Sequence, residues 1–158
     1  MIMVWRKIKV SLVLLFFSLS IQMVYALDEE GKQVKLIAQT QTHGEFDITK
    51  KRGKFVLIAV WATWCPICLG ELPELDTMYK KYHADGLEII ALNIDDDVER
   101  VNNYLKKMPL SFPIARRNTK DVIENLDNLG VTPVFYFVGK DGKVIWRRVG
   151  PVAAFFIK

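Results

Sequence analysis

The sequence has very few of the residues that build metal sites and structural disulfides. Its 158 residues include two cysteines, Cys65 and Cys68, and two histidines, His43 and His83. A structural zinc ion takes four ligands, and the chain has neither a second C-x-x-C nor paired histidines, so a zinc site is disfavoured. A third thiol for a separate structural bridge is also absent. The one disulfide open to this chain therefore joins Cys65 to Cys68.

A surplus of charge of one sign is also missing from most of the chain. The net charge is +4, but Arg6, Lys7 and Lys9 near the start carry three of those charges, and the remaining 19 basic residues face 18 acidic ones. This charge balance therefore disfavours a nucleic-acid-binding function. No repeat or low-complexity segment is present. The run 95–97 of three aspartates lacks the further spaced oxygens of a calcium loop, so we predict that it caps a helix.

The first residues predict export. A basic stretch at 5–9 precedes an apolar stretch at 10–21, and Val24-Tyr25-Ala26 has small residues where a signal peptidase cleaves. We predict that residues 1–26 are a signal peptide, because the apolar run is short for a membrane span. An uncleaved inner-membrane anchor is the alternative. Both hypotheses place residues 27–158 in a periplasmic or other extracytoplasmic compartment, as one domain.

Both cysteines lie in the segment Trp61-Ala62-Thr63-Trp64-Cys65-Pro66-Ile67-Cys68, between an apolar predicted strand and a predicted helix. The positive end of a helix dipole and its free N–H groups favour a thiolate. A spacing of three brings two sulfurs together across one helical turn. We therefore predict that Cys65, at the helix start and more exposed, attacks a foreign disulfide, and that Cys68 resolves the mixed disulfide.

The remaining pattern alternates strands and helices. Apolar or β-branched runs predict strands, and apolar residues at helical spacing predict helices. We expect strands at 34–38, 45–48, 55–61, 87–94, 134–138 and 144–146, and helices from Cys65 to Asp85-Gly86, at 98–107 and at 119–129. The turn 139–142 joins the last two strands as a hairpin.

The cysteine motif, with Gly130-Val131-Thr132-Pro133 and Asp141-Gly142-Lys143 downstream, resembles the thioredoxin superfamily, and more closely its TlpA/ResA/DsbE-type extracytoplasmic branch. The resemblance covers residues 34 to 150. It implies a thioredoxin-like α/β fold with a central mixed β-sheet, helices on both faces and an N-terminal β-hairpin extension. The family closes with an amphipathic helix, whereas only residues 151–158 remain here, about two turns.

The same resemblance implies roles for single residues. Pro133 corresponds to a cis-proline that leaves the Thr132 backbone free to pair with an extended client, and Trp64, Pro66 and Ile67 complete the expected substrate-binding surface. Glu71 resembles a glutamate that tunes the thiols in ResA-like proteins. An ordinary exposed helix acid is the alternative for Glu71.

We therefore predict thiol-disulfide exchange on extracytoplasmic proteins, in the reductive direction, because strong oxidants of the superfamily often carry a histidine between the cysteines. Alternatives are a disulfide-forming oxidase or isomerase, and a non-catalytic metal-delivery or peptide-binding module on the same fold. The expected partners are thiol-containing client proteins, which in this branch include apocytochrome c, and a membrane or thioredoxin-type electron donor. We expect no cofactor besides the Cys65–Cys68 disulfide, no metal, no nucleic acid and a monomeric protein.

Overall fold

The computed structural model describes residues 30–116, 122–124, 126 and 129–152. Its secondary structure comprises eight strands, two α-helices and a short 3₁₀ helix. The strands are β1 (Lys35–Gln39), β2 (Glu45–Asp47), β3 (Phe55–Trp61), β4 (Leu87–Asn93), β5 (Ile114–Arg116), β6 (Val122–Glu124), β7 (Val134–Val138) and β8 (Val144–Val149); the helices are α1 (Pro66–Tyr82), α2 (Val98–Lys107) and the 3₁₀ helix Ile48–Lys51.

A mixed five-stranded sheet organises the molecule, with the strand order β5-β4-β3-β7-β8. β3 and β4 are parallel and in register from Phe55 opposite Leu87 to Trp61 opposite Asn93, while β7 runs antiparallel to β3. β3 is apolar throughout, as expected of a strand covered on both faces. The two central parallel strands therefore end at the same level, and the segments that follow them meet at one edge of the sheet.

Both α-helices cover one face of this sheet. The buried apolar residues of α1, such as Leu72 and Leu75, and Val101 of α2 share a core with Leu57 and Ala91 of the sheet. The other face packs against the small antiparallel sheet β2-β1-β6, whose buried residues include Leu36 and Phe46. In the described part of the chain the second layer is thus β-structure and a 3₁₀ turn. We expected helices on both faces of the sheet. In the described residues β1 covers the second face instead, because its alternating burial gives it an apolar side.

The predicted helix at 119–129 is wrong over residues 122–124. These residues form β6, which pairs antiparallel with β1 and places Ile123 opposite Leu36. Val122 and Ile123 are β-branched and suit a pleated strand, and pairing with the free edge of β1 outweighs the weak helical periodicity. The rest of the predicted helix lies outside the described residues, apart from Leu126 and the turn at Leu129 and Gly130.

The other predicted elements are confirmed with small shifts. α1 ends at Tyr82, and Gly86, with φ of 96°, then turns the chain into β4. α2 begins after Asp97, whose carboxylate accepts a hydrogen bond from the Arg100 N–H, so this aspartate is the cap that the sequence predicted. The predicted signal peptide and residues 153–158 lie outside the described residues. None of the described helices is long and apolar enough to cross a membrane.

Candidate redox site

The two cysteines lie where β3 gives way to α1, and they form a disulfide. Cys65 is the N-cap of α1, and its Sγ accepts a hydrogen bond from the Cys68 N–H at 3.2 Å. The Cα atoms are 5.3 Å apart, a usual separation for a bridged pair. Cys65 is 6% exposed and Cys68 is 1% exposed. A sulfur held at a helix N-terminus is stabilised as a thiolate once the bridge is reduced.

Exposed apolar side chains flank the disulfide in the sequence. Trp64 is 55% exposed and Ile67 is 52% exposed, and Pro66 between the cysteines is also exposed. Trp61, the last residue of β3, is buried. Large apolar side chains that remain in water next to a reactive group indicate a surface that contacts another molecule.

The Thr132–Pro133 segment reaches the same edge of the sheet. Val134 lies opposite Val60 in the β3–β7 pairing, so the residues just before β7 lie beside the end of β3. The Thr132–Pro133 peptide bond is cis, and the Pro133 carbonyl accepts a hydrogen bond from the Gly150 N–H at 3.0 Å. Val131, which the sequence analysis did not single out, is 46% exposed. Sheet topology thus brings this loop to the edge that carries the cysteines.

Glu71 lies on α1 one turn beyond Cys68 and is half-buried. Its Oε2 accepts a hydrogen bond from the Val152 backbone N–H at 2.8 Å, across 81 residues of sequence. Val152 is buried in the same apolar cluster as Cys68. The Glu71 carboxylate thus joins α1 to the chain that follows β8.

One polar residue of this edge was missed by the sequence analysis. Asp95 does not cap α2; its carboxylate is buried and accepts hydrogen bonds from the N–H and the hydroxyl of Thr63, in the loop that precedes Cys65. The signal that could have found it is its position two residues beyond the apolar strand β4, because the carboxyl ends of parallel strands meet at one edge of a sheet.

The two histidines contact residues other than the cysteines. His43 is exposed, and its Nδ1 lies 2.7 Å from the Thr42 hydroxyl. His83 is exposed beside Tyr79, with ring centroids 4.4 Å apart. Within the part of the chain that the structure describes, no group of three or more His, Cys, Asp or Glu side chains is placed to hold a metal ion.

Burial also affects an aromatic side chain next to the motif. The Tyr104 ring of α2 lies 5.6 Å from the Trp61 ring, centroid to centroid. Burial raises the pKa of the Tyr104 phenol, so this group stays protonated throughout the neutral range. It therefore supplies packing beneath the motif and adds no charge there.

The site and the fold agree with what comparison with known proteins finds. The AhpC/TSA family model matches residues 27–147, and the chain belongs to this thioredoxin-like family. The chain is 33% identical over 121 residues to the thiol-disulfide oxidoreductase ResA of Bacillus cereus (strain ZK), a match that spans 76% of this chain and 69% of that protein. It is 27% identical over 117 residues to the ResA protein of Bacillus subtilis (strain 168), spanning 73% and 65% of the two chains.

Solved structures give the same fold. The putative thiol:disulfide interchange protein DsbE from Chlorobium tepidum superposes with a TM-score of 0.68 at 25% identity, covering 80% of this chain and 89% of that one. StoA from Bacillus subtilis superposes with a TM-score of 0.60 at 20% identity, covering 78% and 92%. Together with the bridged Cys65–Cys68 pair, these findings make the protein a thiol-disulfide oxidoreductase.

Proposed function

We propose that the protein reduces disulfides of extracytoplasmic client proteins through the Cys65–Cys68 pair. The observation that carries the proposal is the position of the pair: Cys65 caps α1 and is the more exposed of the two, and Cys68 lies one turn inside the helix. A nucleophilic thiol needs thiolate character and access, and a resolving thiol needs only to reach the first sulfur.

The reduction proceeds in two exchange steps. The Cys65 thiolate attacks one sulfur of a client disulfide, forming a mixed disulfide and releasing the other client sulfur as a thiolate. The Cys68 thiolate then attacks the Cys65 sulfur, forming the Cys65–Cys68 disulfide and releasing the second client thiolate. Two electrons pass from the protein to the client, and the released thiolates take up protons. A dithiol donor, from the membrane or of thioredoxin type, must then reduce the pair again.

We assign client binding to Trp64, Pro66, Ile67, Thr132 and Pro133. Three of these side chains are exposed beside the cysteines, and the sheet register brings the Thr132–Pro133 loop to the same edge. An extended client strand beside this loop would make backbone hydrogen bonds, with apolar side chains covering Trp64 and Ile67. Replacing Ile67 by serine should slow the reduction of a protein disulfide more than that of a small disulfide such as oxidised glutathione.

We assign to Glu71 the tuning of the Cys68 thiol. A carboxylate near a thiol disfavours the thiolate and can exchange a proton with it. The proposal is supported by the position of Glu71 one turn beyond Cys68, and by the hydrogen bond from the Val152 N–H that restrains its carboxylate.

We also propose that residues 1–26 direct export, with cleavage after Ala26. The basic, apolar and small-residue order of that stretch supports it. Mass spectrometry of the N-terminus of the protein from its native host tests it. An intact Met1 terminus in the cytosolic fraction would contradict both the location and the extracytoplasmic clients.

The redox potential of the Cys65–Cys68 pair tests the direction of exchange. A value near that of thioredoxin, about −270 mV, is expected of a reductant, whereas a value near that of DsbA, about −120 mV, would assign an oxidase.

Metal titration of the reduced protein tests the metal-delivery alternative. Tight, stoichiometric binding of Cu(I) without exchange activity would contradict the proposed reduction and favour metal delivery.

A further inference from the structure

A buried carboxylate connects two segments at the edge of the sheet that carries the disulfide. Asp95 is 6% exposed and lies two residues beyond Asn93, the last residue of β4. Its side chain accepts three hydrogen bonds: from the Thr63 N–H at 2.8 Å, from the Thr63 hydroxyl at 2.5 Å and from the Asn93 amide at 2.7 Å. Burying a carboxylate is costly unless donors surround it, and charge-assisted hydrogen bonds are the strong ones. Two of these bonds therefore hold Thr63 to Asp95, and the third joins Asp95 to Asn93 of β4.

Asp95 itself has little freedom to move. Its N–H donates to the Asn93 side-chain oxygen at 3.1 Å, and its carbonyl accepts a hydrogen bond from Nη2 of Arg116 on β5 at 3.2 Å. The preceding Ile94 N–H donates to the Trp61 carbonyl at 3.0 Å. Asp95 is thus fixed to strands β4 and β5, and Thr63 is fixed to the sheet through Asp95.

Thr63 lies in the four-residue connection between Trp61, where β3 ends, and Pro66, where α1 begins. Within it the Cys65 N–H donates to the Ala62 carbonyl at 3.2 Å. In so short a connection, restraining Thr63 at both its backbone and its side chain also restrains Trp64 and Cys65, the next two residues. The sulfur of Cys65 must stay at the helix start to accept the Cys68 N–H.

We propose that Thr63 and Asp95 are positioning residues for the exchange reaction, which hold Cys65 at the start of α1 when the disulfide is open. In the oxidised protein the Cys65–Cys68 bond restrains the connection covalently. Reduction removes that restraint, and the Thr63–Asp95 contact then keeps the Cys65 sulfur where the helix N-terminus stabilises its thiolate. The contact should therefore matter most to the reduced protein, the form that attacks a client.

Replacing Thr63 by valine tests this inference, because valine keeps the shape and the N–H but lacks the hydroxyl. The reduced variant is mixed with dithiobis(nitrobenzoate), and the rate of attack by Cys65 is followed against pH. We expect the rate at neutral pH to fall about three- to tenfold, since a misplacement of about 1 Å can cost up to about a hundredfold. The midpoint of the pH profile should move upward, because the thiolate loses part of its stabilisation.

Two control variants separate positioning from a general loss of stability. Thr63→Ser retains the hydroxyl and should restore the wild-type rate and pH midpoint. Asp97→Ala removes the cap of α2, two residues beyond Asp95, and should lower stability in urea while leaving both values unchanged. A Thr63→Val protein with the wild-type rate and midpoint would overturn the inference. An Asp97→Ala protein whose rate falls as much as that of Thr63→Val would also overturn the inference, since the rate would then follow stability.

This inference is independent of the direction and the clients proposed above, because the probe is a small disulfide and the measured step is attack by Cys65.

Discussion

Large apolar side chains differ in their exposure to solvent at the two ends of strand β3. At the end marked by Trp61, apolar side chains are left in water: Trp64, Ile67 and Val131 are exposed around a bridged cysteine pair. At the end marked by Phe55, the aromatic rings stack on one another, with Phe55, Phe137 and Trp146 in a row at centroid distances of 5.4 Å. Apolar surface therefore faces solvent at the reactive end and is largely covered at the other.

The charged groups differ in the same way. At the Phe55 end, the buried Glu88 carboxylate is paired with Lys54 at 2.5 Å and with Lys51 at 3.4 Å. At the reactive end, the buried Asp95 carboxylate is bound by neutral donors of the loop before Cys65. The first arrangement stabilises the fold, and the second restrains a segment that must be placed accurately. Changes at the Phe55 end should therefore alter stability, and changes at the Trp61 end should alter exchange.

The largest effect is expected at the cysteines themselves. Cys65→Ser should abolish exchange, and Cys68→Ser should trap mixed disulfides with clients, because the second thiol is needed to resolve them. Non-reducing gel electrophoresis detects the trapped species. If a limiting dose of iodoacetamide labels Cys68 of the reduced protein before Cys65, the assignment of the two roles is wrong.

A core change at the other end should act on stability alone. Leu57 is fully buried and lines, with Phe55, Met78, Tyr82 and Phe137, a cavity of about 270 Å³. Leu57→Ala should lower the free energy of unfolding by about 2 to 5 kcal/mol, the usual cost of such a truncation. Urea denaturation measures this loss, and the exchange rate of the folded fraction should not change.

The control for this change is Ile145→Ala on β8, which removes an apolar side chain that is 44% exposed. Its stability should stay within about 0.5 kcal/mol of the wild type. An equal loss in both variants would contradict the role assigned to this core.

The Glu88 pair should give a smaller, pH-dependent effect. Burial raises the pKa of Glu88, but the hydrogen bond from Lys54 and the charges of Lys51 and Lys54 outweigh it, and the pKa lies below its usual value. A carboxyl whose pKa is lower in the folded state stabilises the protein above its unfolded pKa, and that stabilisation is lost as the pH falls through the folded pKa.

Glu88→Gln should therefore cost about 1.5 to 3 kcal/mol at neutral pH, the value of a hydrogen bond to a charged group. Urea denaturation of both proteins at neutral and acidic pH measures the difference, which should shrink on acidification. A difference that stays constant with pH would mean that the charge of Glu88 contributes nothing.

The smallest effect is expected for Glu71. Glu71→Gln removes the charge and keeps an oxygen for the Val152 N–H, so the pKa of the Cys68 thiol should fall. Thiolate absorbance against pH, with Cys65 replaced by serine, measures it. Glu74→Gln, which changes an exposed glutamate of the same helix, is the control and should have no effect. Superimposable curves for Glu71→Gln and the wild type would show that Glu71 does not tune the thiol.

Local patterns determined much of this protein from the sequence alone. The strand, the helix start and the cysteine spacing around Cys65 are properties of neighbouring residues, and so are the Asp97 cap and the β7–β8 hairpin. A bridge between Cys65 and Cys68 follows from a spacing of three across one helical turn.

The tertiary structure alone decided which distant groups meet. Pairing with β1 turned residues 122–124 into a strand, although their local pattern favours a helix. Thr63 meets Asp95 across 32 residues, and Glu71 meets Val152 across 81. Such contacts depend on strand order and register, which bring the ends of β3, β4 and β7 to one edge, and periodicity along the chain does not encode them. For that reason the sequence predicted the reacting sulfurs but not the residues that hold them in place.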